Sequence, residues 1–549
     1  MSIFLQQFLR VLIRPYSKGI RGVRQYTVIN AESEALRYKE RKDKIQVKSE
    51  HFFPSIQKIR FQNVLRIPKF RQKFNDHDFD QYEHKWVPEH VSLEGRIKSV
   101  RRSGKGMYFL DLVQDNSKVQ VVASNKLMNI SKEAFSELHG FLRKGDSVTC
   151  VGFPSRTKVG ELSLKLTEPI RTAAPSLKST MIPQKIISKS LINKNRVLHY
   201  LVNEESRQRL IIKSHIIQIM RNFFLARDFL EVQTPMLGGY GTGANAEPFK
   251  TTSSALDSDK SLQLRVAPEL WLKKLIIGGF DKIFEIGQSF RNEGIDLTHN
   301  PEFSTCEFYQ SFASLNELME ISEALLKDIY VALEQKTNNI SLLQRQLPNL
   351  TEIRAGDFPR YEFIPILESR TGVPLPCELT SESLLDYYKV LGLDLPNIKS
   401  PQSLLDNLSS IYLESISKGN NTPIFIYNQP SLLSPLSKSA PIAYGARVYD
   451  VSLRFELFIN GKEYMNSYEE ENSPFLQANK FKLQQLSKSE FNDNDALIPD
   501  WEYVKLMEYG LPPTGGWGCG IDRLAMLFSG TQRIEDVLSF GNLRDVIRQ

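Results

Sequence analysis

The stretch SFRNEGIDLTHNPEFSTCEFYQSF, Ser289 to Phe312, carries Arg291, Glu293, His299, Glu302, Glu307 and Tyr309 within a segment that otherwise alternates like two β-strands. Alternation assigns faces. On the upstream strand Glu285, Gly287, Ser289 and Arg291 share one side, and Phe284, Ile286 and Phe290 the other. On the return strand Thr305, Glu307 and Tyr309 lie opposite Cys306 and Phe308. A solvated hairpin alternates in the same way, but it seldom sets Arg and Glu among so many aromatic and glycine neighbours. The charged row is therefore read as the lining of a site on a sheet.

Outward from this hairpin, SRQRLIIKSHIIQIMRNFFLARDF spaces Leu210, Ile217, Phe224 and their i±3 and i±4 neighbours as an amphipathic helix. LEVQTPML then reads as a strand stopped by Pro235. From Glu204 onward helices and strands mix without a βαβ rhythm, which predicts an antiparallel α+β domain. Residues 340–440, with their Pro, Ser and Asn clusters, read as an inserted helical and loop region. Further upstream, VSLEGRIKSV, MYFLDLVQD, KVQVVAS, DSVTCVGFPS and GELSLKLTEPI form short β-like runs, with a helical KEAFSELHGFL between the third and fourth. That is the order of an all-β OB-type barrel, a fold that often binds single-stranded nucleic acid. Residues 32–85 read as a solvated helix followed by irregular connections, and TAAPSLKSTMIPQK as a linker. KIISKS superficially resembles the Lys-Met-Ser-Lys-Ser loop of nucleotide-activating Rossmann enzymes, but no His-Ile-Gly-His partner precedes it.

A chain of 549 residues is too long for one core, so two or three domains are expected. Lys and Arg outnumber Asp and Glu by 70 to 63, and the net charge of +7 permits a polyanionic partner. The four cysteines form no C-x-x-C pair, which argues against a disulfide framework and a cysteine zinc site and suits a reducing compartment. No apolar run approaches the roughly 20 residues that cross a bilayer, so no membrane insertion is expected. The first 32 residues hold Arg10, Arg14, Lys18, Arg21 and Arg24 with no acid before Glu32, while Phe4, Phe8, Leu9, Leu12 and Ile13 recur at helical spacing. This is the make-up of a mitochondrial transit peptide; a basic RNA-binding tail is the other reading.

FRNEG…HNPEF resembles the second signature motif of class II aminoacyl-tRNA synthetases, the lysyl enzymes in particular. FLEVQTPML resembles their first motif, a dimer interface, and GLPPTGGWGCGIDRLAML from Gly510 resembles the third. The barrel resembles their anticodon-binding domain. With the transit peptide placed at 1–28 by its composition, the resemblance implies an extension at 29–85, an OB-fold at 86–172, a hinge at 173–203 and an α+β, antiparallel-sheet catalytic domain at 204–549. It also implies activation of L-lysine by ATP with Mg²⁺, transfer to tRNA(Lys), homodimerisation and a place in the mitochondrial matrix.

Activating a carboxylate with ATP gathers negative charge at the α-phosphate, which a planar guanidinium fork binds through two oxygens. The resemblance assigns that role to Arg291, with Arg523 as the second catalytic arginine. For ATP it implies Glu293 at the adenine amino group, Phe303 and Arg523 on the two adenine faces, and His299, Asn300, Gly520 and Glu456 around the nucleotide. It places metal-ligating carboxylates at Glu456 and Glu463, although Glu456 alone also reads as an exposed acid on a strand pair. Around lysine it places Glu470 and Tyr309 at the ε-ammonium, Glu269 and the backbone of Gly243 at the α-amino group, Arg291 and Asn466 at the carboxylate, and Tyr468 nearby. A cationic substrate requires buried anions, whereas an aspartyl relative would need a cation there. Thr242 stands where the family shows the first glycine of a Gly-Gly-Ala run, and NRVLHYLVN at 195–203 replaces a more basic, tyrosine-rich stretch. In the barrel the resemblance points to Phe109 for stacking on anticodon bases and to Gln120 and Glu161 for base edges. Alternation with Leu110 and Leu112 leaves Phe109 open as a core residue, and Arg96, Arg101, Arg102 and Lys105 are phosphate contacts or a solvated face. The alternative functions are an aspartyl or asparaginyl relative and a non-catalytic tRNA-binding protein on the same scaffold.

Overall fold

The structure, a computed structural model, describes residues 21–239, 246–256, 261–491 and 498–548. The chain divides into two compact units, Met1–Ile186 and Ile187–Gln549. In the first, strands β1 (Val91–Arg102), β2 (Met107–Gln114), β3 (Ser117–Ser124), β4 (Ser147–Arg156) and β5 (Leu162–Leu166) pair in the order β1-β2-β3-β5-β4. β4 pairs back onto β1 and closes the barrel, with helix α3 (Lys132–His139) between β3 and β4 in the chain. Asp115 and Asn116, both at positive φ, make the two-residue β2–β3 turn, the left-handed geometry that matches strand twist. Leu110, Leu112, Val119, Val121, Leu162 and Leu164 fill the interior.

The segment before the barrel departs from the sequence expectation. It contains helix α1 (Arg21–Val47), but also helix α2 (Ile67–Phe74), whose Ile67, Phe70 and Phe74 belong to the barrel's own core. α1 is solvated along most of its described side chains, while Arg41 and Ile45 are buried. Arg41 Nη2 donates to Asp146 Oδ1 at 2.7 Å, and the backbone N–H groups of Arg143 and Ser176 also donate to that carboxylate, at 2.9 and 2.8 Å. The expected linker begins in sheet as well, since Arg171–Ala174 pairs with β4.

The second unit is built on a nine-stranded sheet among the described residues. Its inner strands are β6 (Lys282–Phe290), β7 (Glu302–Ser311), β8 (Ile424–Pro430), β9 (Arg447–Ile459), β10 (Lys462–Glu469) and β11 (Thr514–Gly520), in the order β8-β9-β10-β11-β7-β6. All these neighbours are antiparallel. Two short edge strands, Leu230–Glu231 on β6 and Arg360–Glu362 on β8, pair in parallel. The LEVQTPML strand therefore shrinks to Leu230 and Glu231. β8 belongs to the sheet rather than to the inserted loops, while helices from 363 to 408 pack as a separate apolar cluster against β8 and β9.

Helices α4 (Glu204–Leu225), α6 (Leu315–Glu334) and α7 (Ile521–Ser529) cover one face of the sheet. Ile212, Ile216 and Phe224 of α4 meet Leu318 and Leu325 of α6, Leu524 and Phe528 of α7, and Phe284, Cys306, Phe308 and Trp517 of the sheet. The opposite face lines a cleft. Asp146→Ala leaves the buried Arg41 charge without its counter-ion, its remaining bonds going only to the carbonyls of Phe141 and Ser176, so urea denaturation of the full chain should show the barrel unit weakened by about 2–4 kcal/mol. Removing the solvated Asp80–Lys85 pair should leave that transition unmoved.

Candidate active site

The cleft floor is ordered by strand register. Glu307 of β7 pairs with Gly518 of β11, which pairs with Asn466 of β10, which pairs with Glu456 of β9. One step along, Tyr309, Gly516, Tyr468 and Arg454 form a parallel row. Gly516, Gly518 and Gly520 face the cleft, whereas Trp517 and Cys519 lie in the core. An ideal Cβ on Gly516 would fall 2.0 Å from Glu470 Oε1 and 2.7 Å from Tyr309 Cε1, while one on Gly518 finds its nearest neighbour at 3.7 Å. Glycine at 516 is thus required by the protein's own side chains, and Gly518 leaves open floor. The cleft measures about 520 Å³.

At its open end Arg291 follows β6, its backbone N–H donating to Pro301 O at 2.8 Å to close the charged loop. Its guanidinium carbon stands 5.2 Å from the Phe303 ring centre, and its Nε is buried without a partner. Arg523, in the first turn of α7, donates through Nη1 to Glu463 O at 2.6 Å and through Nη2 to His299 Nε2 at 2.9 Å. His299 Nε2 is then an acceptor, so the imidazole is protonated at Nδ1, which faces Asp296 Oδ2 at 2.8 Å. Against a desolvation cost, the backbone N–H of Thr298 and the His299 side chain hold Asp296 down to about 2. Glu293 lies on the exposed loop at the cleft edge. Asn300 lines the cleft mouth, and its amide donates to Glu302 O at 2.7 Å and accepts from Leu543 N at 3.0 Å, which fastens the loop.

Glu456 and Glu463 face the same end, joined by Asp406 from the inserted helix Pro401–Leu408. Glu456 accepts from Gln429 Nε2 at 2.8 Å and from Arg454 Nη2, yet burial pushes its carboxyl up to about 7, with Arg454 opposing and Glu463 adding repulsion. Among the described residues no three acidic, His or Cys side chains are placed to hold a metal ion by themselves; two carboxylates completed by nucleotide phosphates are the donor set that suits a divalent cation.

At the closed end Glu269 begins helix α5 (Glu269–Ile277) and accepts from Tyr468 OH at 2.5 Å. Glu470 is buried beside it, and Lys273 of α5 sits between the two glutamates. Glu307 is raised to about 8 by burial, with Glu269 adding repulsion and Arg265 opposing. Tyr309 donates to Glu307 Oε2 at 3.4 Å, and Asn466 Oδ1 accepts from Arg454 Nε at 3.0 Å. Gly243 lies outside the described residues. Sequence reading gave no role to Lys273, Glu307, Arg454 or Asp406. The i, i+4 spacing of Glu269 and Lys273 on a helix and the cleft-facing parity of Glu307 were available signals; nothing local marks Asp406.

The family described as tRNA synthetases class II (D, K and N) matches residues 188–544. The chain belongs to that family. The synthetase is 39% identical over 489 residues to the mitochondrial lysine–tRNA ligase of Saccharomyces cerevisiae, covering 84% of this chain and 83% of the relative. It is also 39% identical over 461 residues to the mitochondrial lysine–tRNA ligase of Schizosaccharomyces pombe, covering 82% and 84%. A lysine–tRNA ligase of Thermotoga maritima matches at 34% over 487 residues, covering 88% and 91%. Members of this class use ATP, typically with a divalent metal. Residues 91–170 match the OB-fold nucleic acid binding domain.

On the synthetase's barrel, Phe109 points outward, since its neighbours Leu110 and Leu112 occupy the core. Cross-strand pairing sets it in one row with Arg101, Val122 and Lys165. Gln120 Nε2 donates to Glu161 Oε2 at 2.8 Å and Gln120 Oε1 accepts from Ser163 Oγ at 3.2 Å, so Gln120 and Glu161 sit together.

Gly516→Ala should abolish amino-acid-dependent pyrophosphate exchange, by on the order of 100-fold or more, because the added methyl displaces Glu470 and Tyr309. Gly518→Ala should leave the melting temperature near wild type while raising KM, since its Cβ occupies ligand space alone.

Proposed function

We propose that this synthetase activates L-lysine and transfers it to tRNA(Lys) in the mitochondrial matrix. The observation that carries the reading is the closed end of the cleft, where the carboxyls of Glu269, Glu307 and Glu470 meet one resident ammonium, Lys273. Burial makes such an excess of anions costly until a further cation enters. An aspartate or asparagine side chain brings none. The names of the relatives, lysine–tRNA ligases in yeasts and a bacterium, agree with this.

In this reading Glu470 and Tyr309 receive the ε-ammonium, with Glu307 and Tyr468 completing the wall. Glu269 and the backbone of Gly243 take the α-amino group, and Asn466 and Arg291 the carboxylate. Phe303 and Arg523 sandwich the adenine, Glu293 meets its amino group, and His299 holds Arg523 over the ring. Asn300 acts by fastening the loop, and Gly520 lets the backbone approach the nucleotide. Arg291, its Nε unspent, takes the charge that develops on the α-phosphate as the lysine carboxylate oxygen attacks phosphorus and pyrophosphate leaves; a donor of this kind is worth about 3 kcal/mol. Glu456 and Glu463 would hold Mg²⁺, which when bound neutralises phosphate charge. A terminal ribose hydroxyl of the tRNA then attacks the activated acyl carbon and AMP leaves, so the chain supplies no nucleophile.

The barrel, assigned to 86–172, offers Phe109 for stacking and Gln120 with Glu161 for anticodon base edges. Residues 29–85 form an extension to it, 173–203 a hinge, and 204–549 the catalytic domain. Leu225, Leu230, Met236 and Leu237 are exposed around the first motif, an apolar set that suits a second copy of the chain. Residues 1–28 serve as the transit peptide.

Pyrophosphate exchange measured with each amino acid on the purified chain tests the activity. Lysine should support it at least about 1,000-fold better than aspartate or asparagine, and equal rates would sink the assignment. A carboxyl held up to about 8 must lose its proton before it can serve a cation. KM for lysine should therefore fall as pH rises from 6 to 8 and level off above, and Glu307→Gln should flatten that limb.

A further inference from the structure

Lys273 has no part in the activation chemistry just described. It stands one helical turn after Glu269, without exposed side-chain surface, its Nζ 2.7 Å from Glu269 Oε1 and 2.5 Å from Glu470 Oε2. The rings of Tyr468 and Tyr503 lie 5.7 Å from it on their own elements. Burial works against the ammonium, but Glu269 and Glu470 outweigh it and keep Lys273 charged well above the ordinary lysine range. Both Glu470 oxygens are buried without a hydrogen bond of good geometry; Oε2 has the Lys273 ammonium as its ion-pair partner, and Oε1 stands over Gly516 at the cleft floor. Glu471 is already paired with Lys480 at 2.9 Å, so it supplies no charge to this group. From β7, Glu307 and Tyr309 face the same space.

Glu269 and Glu470 sharing one ammonium leave one negative charge uncompensated, while Glu307, held up to about 8 by burial, adds a second only where it loses its proton. We propose that Lys273 is a positioning residue of the amino-acid site: by holding one oxygen of each glutamate it presents Glu470 Oε1 to the floor and limits the pocket to one further monocation. The identity of that monocation rests on the lysine reading above; the counter-ion role does not. An opposing pair of glutamates without Lys273 would be strongly repulsive and would take up protons.

Lys273→Met in the full chain tests this, with Lys273→Arg as the variant that keeps the charge. Losing the ammonium raises the folded pKa of Glu470, already held up by burial, further above its unfolded value. A raised carboxyl stabilises the fold at low pH and loses that contribution as pH rises, so the melting-temperature deficit of Lys273→Met should widen between about pH 6 and pH 9. Its KM for L-lysine should rise about tenfold or more with KM for ATP within about twofold, and Lys273→Arg should recover most of the loss. A folded Lys273→Met variant whose deficit is constant with pH makes Lys273 a packing residue and overturns the proposal. Should that variant not fold, Glu470→Gln reads the same pairing: its melting temperature should fall less than wild type's over this range, and an unchanged slope overturns the proposal. If lysine proves no better than aspartate in wild-type exchange while the deficit still widens, the lysine assignment falls and the counter-ion role stands.

Discussion

Backbone register across β7, β11 and β10 is the constraint on which the active site rests. The pairings Glu307–Gly518–Asn466 and Tyr309–Gly516–Tyr468 set polar groups on the cleft side only because Trp517 and Cys519 are held on the other. A slip of one residue would drive the indole into the cleft and leave glycines in the core. Trp517 resists that slip through its stack on Phe308, ring centres 5.1 Å apart, and through Nε1 donating to Ser322 Oγ of α6 at 2.9 Å. Core packing and site geometry are therefore one decision, made by one alternating strand.

The two ends of the cleft differ in charge balance. Arg291 and Arg523 stand at the open end with Glu456 and Glu463 beside them, while Glu269, Glu307 and Glu470 close the other around the single ammonium of Lys273. Burial is the main reason the Glu307 carboxyl is pushed up, and repulsion from Glu269 adds to it. A molecule with a carboxylate at one end and an ammonium at the other is aligned by such a gradient before any specific contact forms. The beginning of the same domain is tied to this floor by buried charge too, since Thr234 Oγ1 donates to Glu285 Oε2 at 2.7 Å and Arg265 pairs with Glu285 Oε1 at 2.5 Å.

The barrel shows how a polar segment acquires a structural role. α1 has almost no apolar face, and its sequence gives no reason to expect burial, yet Arg41 reaches Asp146 and locks the helix to the loop before β4. A long side chain with a planar fork does this with little buried carbon, which is why hydrophobic periodicity passes over it. α2 was legible in principle, for Ile67, Phe70 and Phe74 recur at helical spacing, but its eight residues are short enough to pass for a connection.

Local order in the chain was enough to assign the faces of the charged hairpin, the five barrel strands with their intervening helix, and the family motifs, because alternation and glycine spacing are properties of neighbouring residues. The alternation of Phe109 with Leu110 and Leu112 gave two faces without saying which was inward; only closure of the barrel oriented them. Lys273 and Glu470 stand almost two hundred residues apart, and Asp406 reaches the cleft from an insertion whose helices pack on the sheet. The sequence by itself determined which residues share a strand face or a helix turn. Only the tertiary structure decided which charges are buried together, since desolvation and Coulomb repulsion depend on distances that chain order does not encode.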